Sequence, residues 1–226
     1  MNNHERLERT SVSLALVVGL AIYRLLSNFQ LQIYQNFIIT FLASSAFYEF
    51  VFKILIYLFS NVDFLLKILW GKLYLKGYWD YTYELNGVKK YGVWCIDQTY
   101  NSTTVKGFGI SEVDGKRRSD VQSITQLIKR GNDYEILNTR RDVDANGSFG
   151  DEFFYSKTSM HLVQRNTFLN LLNYPMVITG VTIVYGGEKS GNHHGNLQFH
   201  KHKNAKSETD IEEIVKKMIE DEKSTS

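Results

Sequence analysis

The residues best suited to chemistry lie in one short run, Tyr78-Trp79-Asp80-Tyr81-Thr82-Tyr83, where a two-residue period sets Trp79, Tyr81 and Tyr83 on one face of a strand. A facing strand adds Tyr91 or Trp94 to that face. Enclosed phenols need hydrogen-bond partners, which a closed core or a ligand can supply. For Trp79 the core is the expectation, and for Tyr81 and Tyr83 both readings stand. Cationic side chains that suit a phosphate are Lys106, Arg117, Arg118, Arg140, Arg141, Lys157 and Arg165. Arg117, Arg118, Arg140 and Arg141 are expected in loops, where a guanidinium is ordinarily solvated. Stacking aromatics combined with guanidinium groups are what a phosphate-bearing nucleotide requires.

Other chemistries find little support. His193, His194, His200 and His202 form the densest imidazole cluster, and His200 and His202 share a strand face. With no carboxylate or thiolate beside them in the sequence, a His-rich surface is the expectation and no metal is assigned. The single cysteine, Cys95, has no partner for a disulfide or a zinc set, and its β-like surroundings predict a small buried residue in a reducing compartment. There is no Walker loop, no GxSxG and no HExxH, so the chain is expected to bind rather than catalyse, without a cofactor.

The elements that must position these residues are short and β-rich. From Gly77 onward, strands are predicted over 78–85, 89–98, 103–110, 121–129, 134–138, 152–163, 176–185 and 196–202. Asn86-Gly87 is a two-residue hairpin signal. About eight antiparallel strands predict a small lipocalin-like β-barrel over residues 73–203. Residues 165–172, before the lone Pro175, are left open as a helical turn. Residues 204–226 carry Ile211, Ile214, Val215, Met218 and Ile219 at helical spacing behind a Ser207-x-x-Asp210 cap, predicting an amphipathic C-terminal helix. That tail holds 4 basic and 7 acidic residues against 16 and 13 in the barrel region.

Ahead of the barrel, residues 1–72 read as a transmembrane α-helical hairpin with a juxtamembrane helix. The spans are placed at about 11–27 and 37–60, the second long enough to cross a hydrocarbon core of roughly 30 Å. A cleaved signal peptide competes for the first segment, but residues 27–36 lack a small-x-small site and run directly into the second span. Arg6 and Arg9 precede the spans and Lys67, Lys72 and Lys76 follow them, whereas the connection has no basic residue. Both termini and the barrel are therefore expected on the cytoplasmic side of a multi-pass protein. Glu49 and Lys53, one helical turn apart, read either as a neutralising ion pair or as an effector contact between helices of an oligomer. Residues 62–75 continue the second helix as a stalk or join the following core.

The run Leu75-Lys76-Gly77-Tyr78-Trp79-Asp80-Tyr81-Thr82-Tyr83, placed directly after a membrane hairpin, resembles the transmembrane β-barrel effectors of bacterial cyclic-oligonucleotide anti-phage signalling (CBASS), the two-transmembrane, β-strand-rich effector family. The motif falls on Leu75, Gly77, Trp79 and Tyr83. The resemblance implies a receptor in the bacterial inner membrane for a cyclic dinucleotide made by a partner nucleotidyltransferase. It also implies homo-oligomerisation, disruption of membrane lipid and abortive infection, with no nucleic acid polymer as partner. The alternatives are a membrane-tethered lipocalin-like lipid carrier and a structural anchor that recruits a protein.

Overall fold

A computed structural model describes residues 3–29, 33–85, 88–130, 133–143, 149–161, 177–185 and 193–225. The chain divides into two compact units, Met1–Trp70 with Thr99–Asn101, and Gly71–Gln98 with Ser102–Ser226.

The first unit is helical. Helices α1 (Asn3–Leu26) and α2 (Ile33–Asn61) are long and apolar enough to cross a membrane. At 1.5 Å per residue, α1 extends about 36 Å, more than its uncharged stretch suggests, because the helix continues back through Glu5–Arg9. Leu7, Ser11, Ala15 and Gly19 recur at every fourth residue and are the buried positions of α1. A Cβ at Gly19 would strike Ser44 Oγ on α2, so small residues set the close approach of the two helices. Leu16, Val17, Leu20, Phe41, Leu42 and Phe50 are each more than 60 % exposed, a surface suited to lipid rather than water.

Helix α3 (Asp63–Trp70) follows after Val62, with Leu66 N donating to Val62 O across the junction. It belongs to the helical unit, where Arg6 Nη1 donates to Leu69 O at 3.2 Å. The stalk is thus a separate short helix, and Gly71, at φ +53, turns the chain out of it.

The second unit is a closed barrel. Its strands are β1 (Gly77–Leu85), β2 (Val88–Gln98), β3 (Thr103–Ile110), β4 (Arg117–Ser123), β5 (Ile128–Arg130), β6 (Asp133–Val143), β7 (Phe149–His161), β8 (Val177–Tyr185) and β9 (His193–His202). Antiparallel pairing runs β1-β2-β3-β4-β6-β7-β8-β9, and β9 returns to pair with β1. Eight strands therefore close on themselves, and the three-residue β5 hangs from β6 outside the circuit. Leu85 pairs with Val88, as a two-residue hairpin requires; the Asn86-Gly87 turn itself lies outside the described residues, as do Arg165, residues 165–172 and Pro175.

Strands β7 and β9 each begin three residues before the predicted start, and two further differences alter the strand layout. The predicted strand over 121–129 is divided between β4 and β5, because Ile124 N turns to Leu137 O instead of continuing the ladder. Strand β6 runs five residues beyond Asn138, through Thr139-Arg140-Arg141-Asp142-Val143, a polar run that carries no hydrophobic alternation.

Apolar side chains gather on both faces of the barrel wall. Trp79, Trp94, Ile136, Met160, Ile178 and Phe199 pack inside. On the outer face, Tyr91, Val93, Phe108 and Ile110 are covered by Ile211, Val215 and Ile219 of α4 (Glu208–Thr225). The helix begins with reciprocal capping: Asp210 N donates to Ser207 Oγ, and Asp210 Oδ2 accepts from Lys206 N. The tail's apolar stripe therefore packs on the barrel of its own chain.

Candidate functional site

Alternation along β1 points Trp79, Tyr81 and Tyr83 into the barrel, and the register sets Trp94 of β2 opposite Trp79 and Gly92 opposite Tyr81. Space for the rings comes from glycine: a Cβ at Gly92 would strike the Tyr81 ring and Phe108 O, and one at Gly195 would press on Tyr83. Tyr81 lies 6.0 Å from the rings of both Trp94 and Phe199, and 6.1 Å from Tyr83. Trp79 is fully buried and its Nε1 donates to Leu75 O at 2.7 Å, which assigns it to the core at that end of the barrel.

Toward the other end the interior becomes polar. Arg140 Nη1 donates to Tyr83 Oη at 3.1 Å, and Arg140 Nε to Asp142 Oδ1 at 2.9 Å. Burial works against the charge on Arg140, but Tyr83, Asp142 and Tyr81 outweigh it and raise its pKa above the ordinary range, so the guanidinium stays charged. Burial, then Tyr83, pushes the Tyr81 phenol up and keeps it neutral. Asn138, Ser156, Thr158 and Thr182 add further buried polar groups, with the two threonine hydroxyls 3.3 Å apart. Aromatic faces, a charged guanidinium and neutral hydrogen-bonding groups thus share one enclosed surface.

The remaining candidates fall elsewhere. Lys106, Arg117 and Arg141 line an external cleft of about 440 Å³ with Phe108, Asp120 and Glu208. Arg117 stacks on Phe108, 3.8 Å from the ring centre, and is paired with Glu212 at 2.8 Å and Glu208 at 3.7 Å. Much of its charge is already neutralised by α4. Tyr91 points outward and donates to Glu222 at 2.7 Å, beside the Lys89–Glu222 pair at 2.6 Å. Lys157 pairs with Glu135 on the outer wall, and Arg118 is exposed beside the register shift at Gly109/Ile110. All four arginines expected in loops lie in strands: Arg117 and Arg118 open β4, and Arg140 and Arg141 belong to β6. The inward pair partners of Arg140 make this polar run a strand despite its composition.

Barrel closure also supplies a carboxylate that the histidine pattern concealed. Asp80, 1 % exposed, accepts from His202 Nε2 at 2.6 Å and meets His200 Nδ1 at 3.3 Å. The imidazoles are directed at that carboxylate, and among the described residues no group of His, Cys, Asp or Glu is placed to hold a metal ion. The side chains of His193 and His194 lie outside the described residues.

Cys95 is half-buried on the outer wall, where burial, then Glu208, pushes its thiol up to about 12. The thiolate fraction at pH 8 is therefore far smaller than that of an ordinary thiol. Iodoacetamide should therefore label the folded chain far more slowly than the urea-unfolded chain at pH 8. Equal labelling rates would overturn that placement.

Fold and interior together define a class: a small closed barrel with an aromatic and polar lining, on a chain whose first helices are long and apolar enough to cross a membrane. No family model, no curated protein and no solved structure matches the chain.

Proposed function

We propose that the chain is a membrane-anchored receptor and effector: its barrel binds a cyclic dinucleotide, and binding drives self-association that breaches a bacterial inner membrane during phage infection. The observation that carries this reading is the Tyr81–Tyr83–Arg140 constellation inside a closed barrel. Phenol faces suit bases, and a guanidinium held charged suits phosphate. A lipid carrier is disfavoured by the same interior, because an acyl chain offers the polar groups of Arg140 and Asn138 no hydrogen-bond partner.

The helices support the effector half. Glu49 and Lys53 form a 3.4 Å ion pair on α2, with side chains 77 % and 72 % exposed in the order Lys53, Glu49. A charge pair near the middle of a span and turned away from its own partner helix is costly in lipid. A second copy can cover it, which makes it the contact through which hairpins gather. The basic residues that flank the two helices support a cytoplasmic side for both termini and the barrel. The partner synthase then supplies the ligand on the barrel's own side, and the chain acts by binding rather than by catalysis.

The test uses the full chain in dye-loaded liposomes of phosphatidylethanolamine and phosphatidylglycerol. A saturating cyclic dinucleotide, at a hundred times its Kd, should stabilise the protein by about 2.7 kcal/mol and release the dye. Arg140→Met should lose both effects, whereas Glu49→Leu with Lys53→Leu should keep the stabilisation and lose the release. No stabilisation by any member of a broad cyclic-dinucleotide panel would sink the receptor; stabilisation without release would sink the effector.

A further inference from the structure

Asn138 lies on the inward face of β6, two residues from Arg140, with Ser123 and Ser156 as its register partners. It is fully buried, and among the described residues neither its amide oxygen nor its amide nitrogen has a hydrogen-bond partner. Nearby, Ser123 Oγ accepts from Val105 N, and Arg140 holds Tyr83 and Asp142. A buried primary amide that satisfies neither its donors nor its acceptor is expensive, and leucine has the same branched shape without that cost. Such a residue calls for a partner that arrives from outside the fold.

The chemistry of that partner follows from the amide. It offers an acceptor beside a donor in one plane, and so matches a planar edge that carries a donor beside an acceptor. Phosphate and carboxylate oxygens only accept, and acyl chains do neither. Nucleobase edges fit, and the amino group and neighbouring ring nitrogen of adenine are a well-matched pair for asparagine. One two-residue strand step, about 7 Å, separates Asn138 from Arg140. Arg140 and Asp142 mark the accessible side, with side chains 28 % and 51 % exposed.

We infer that Asn138 is the base-reading residue of the barrel, hydrogen-bonding the edge of a nucleobase that lies deeper than the phosphate held at Arg140. The inference rests on the proposed receptor function and adds the residue that sets base specificity. Asn138 is kept for the ligand and not for the fold, so binding and stability must respond in opposite directions.

Calorimetric titration of the full chain in detergent micelles decides it, with cyclic di-AMP, cyclic di-GMP, cyclic GMP–AMP and cyclic UMP–AMP as probes. The native chain should prefer an adenine-containing ligand. Asn138→Leu should weaken that ligand by about tenfold to a hundredfold and flatten the preference. Its unliganded melting temperature should hold or rise. Unchanged affinity and preference in Asn138→Leu would overturn the inference and leave the receptor standing. A lower melting temperature would assign the amide to the fold, through a buried water or another internal partner, and overturn it equally. If the native chain binds none of the four, the receptor reading fails and this inference fails with it. Should Asn138→Leu not fold, Asn138→Ser removes the two-point edge with a smaller side chain, and the same loss of preference is required of it.

Discussion

Trp79→Ala should cost about 3–5 kcal/mol of barrel stability, the range for emptying a fully buried indole site. Trp79 has no exposed surface, its ring lies 5.4 Å from Lys201 Nζ, and its Nε1 holds Leu75 O at 2.7 Å. Alanine removes the ring, opens a cavity between Leu75 and the aromatic cluster, and leaves the Leu75 carbonyl without that donor. In a barrel the cavity cannot collapse easily, because closure fixes the strands on every side. Trp79→Phe retains part of the packing and loses the donor, so it should fall between the two. Urea unfolding of the full chain in detergent gives the measurement, read from near-ultraviolet dichroism. A loss below about 1 kcal/mol for Trp79→Ala would show that the site is not a packed core.

What could be read from the sequence was local. Two-residue alternation at 78–83 placed Trp79, Tyr81 and Tyr83 on one face correctly, because β1 is regular and its pattern lies within one element. The apolar runs marked both long helices, although charge at Glu5–Arg9 hid the first turns of α1. Closure was expected from strand number, but its pairings were not, since β9 meets β1 from more than a hundred residues away. That pairing brings Asp80 between His200 and His202, which no spacing rule contains.

The interior position of Arg140 is illegible in the sequence for a related reason. Its neighbours are polar, so periodicity stops at Asn138, and only β4 and β7 on either side hold the run as a strand. The outer candidates show the converse: Lys106, Arg117 and Arg141 are far apart in the chain, yet the β3-β4-β6 order places them around one cleft. Composition selected the residue types, and topology decided which of them meet. Interior polarity is the property sequence patterns conceal most, because they assume that inward means apolar.

Gln98→Leu is expected to rank close to Trp79→Ala, although nothing in the local sequence marks Gln98 as important. It ends β2, is 1 % exposed, and satisfies a whole turn of backbone. Its Oε1 accepts from Leu75 N at 2.6 Å and Lys76 N at 2.9 Å; its Nε2 donates to Leu73 O at 2.9 Å and Thr103 Oγ1 at 3.0 Å. One side chain therefore clamps the stretch through which the chain reaches β1. Leucine preserves the volume and strands the amides of Leu75 and Lys76 together with the Leu73 carbonyl. Each unsatisfied buried group costs about 1–3 kcal/mol, and partial access of water to Leu73 and Lys76 brings the sum to about 3 kcal/mol. Thr103→Val breaks only the last of these bonds and should cost about 1 kcal/mol. The same urea titration separates the two variants, and amide exchange at Leu75 should accelerate in Gln98→Leu alone. If Gln98→Leu and Thr103→Val unfold at the same midpoint, the clamp does not hold the approach to the barrel.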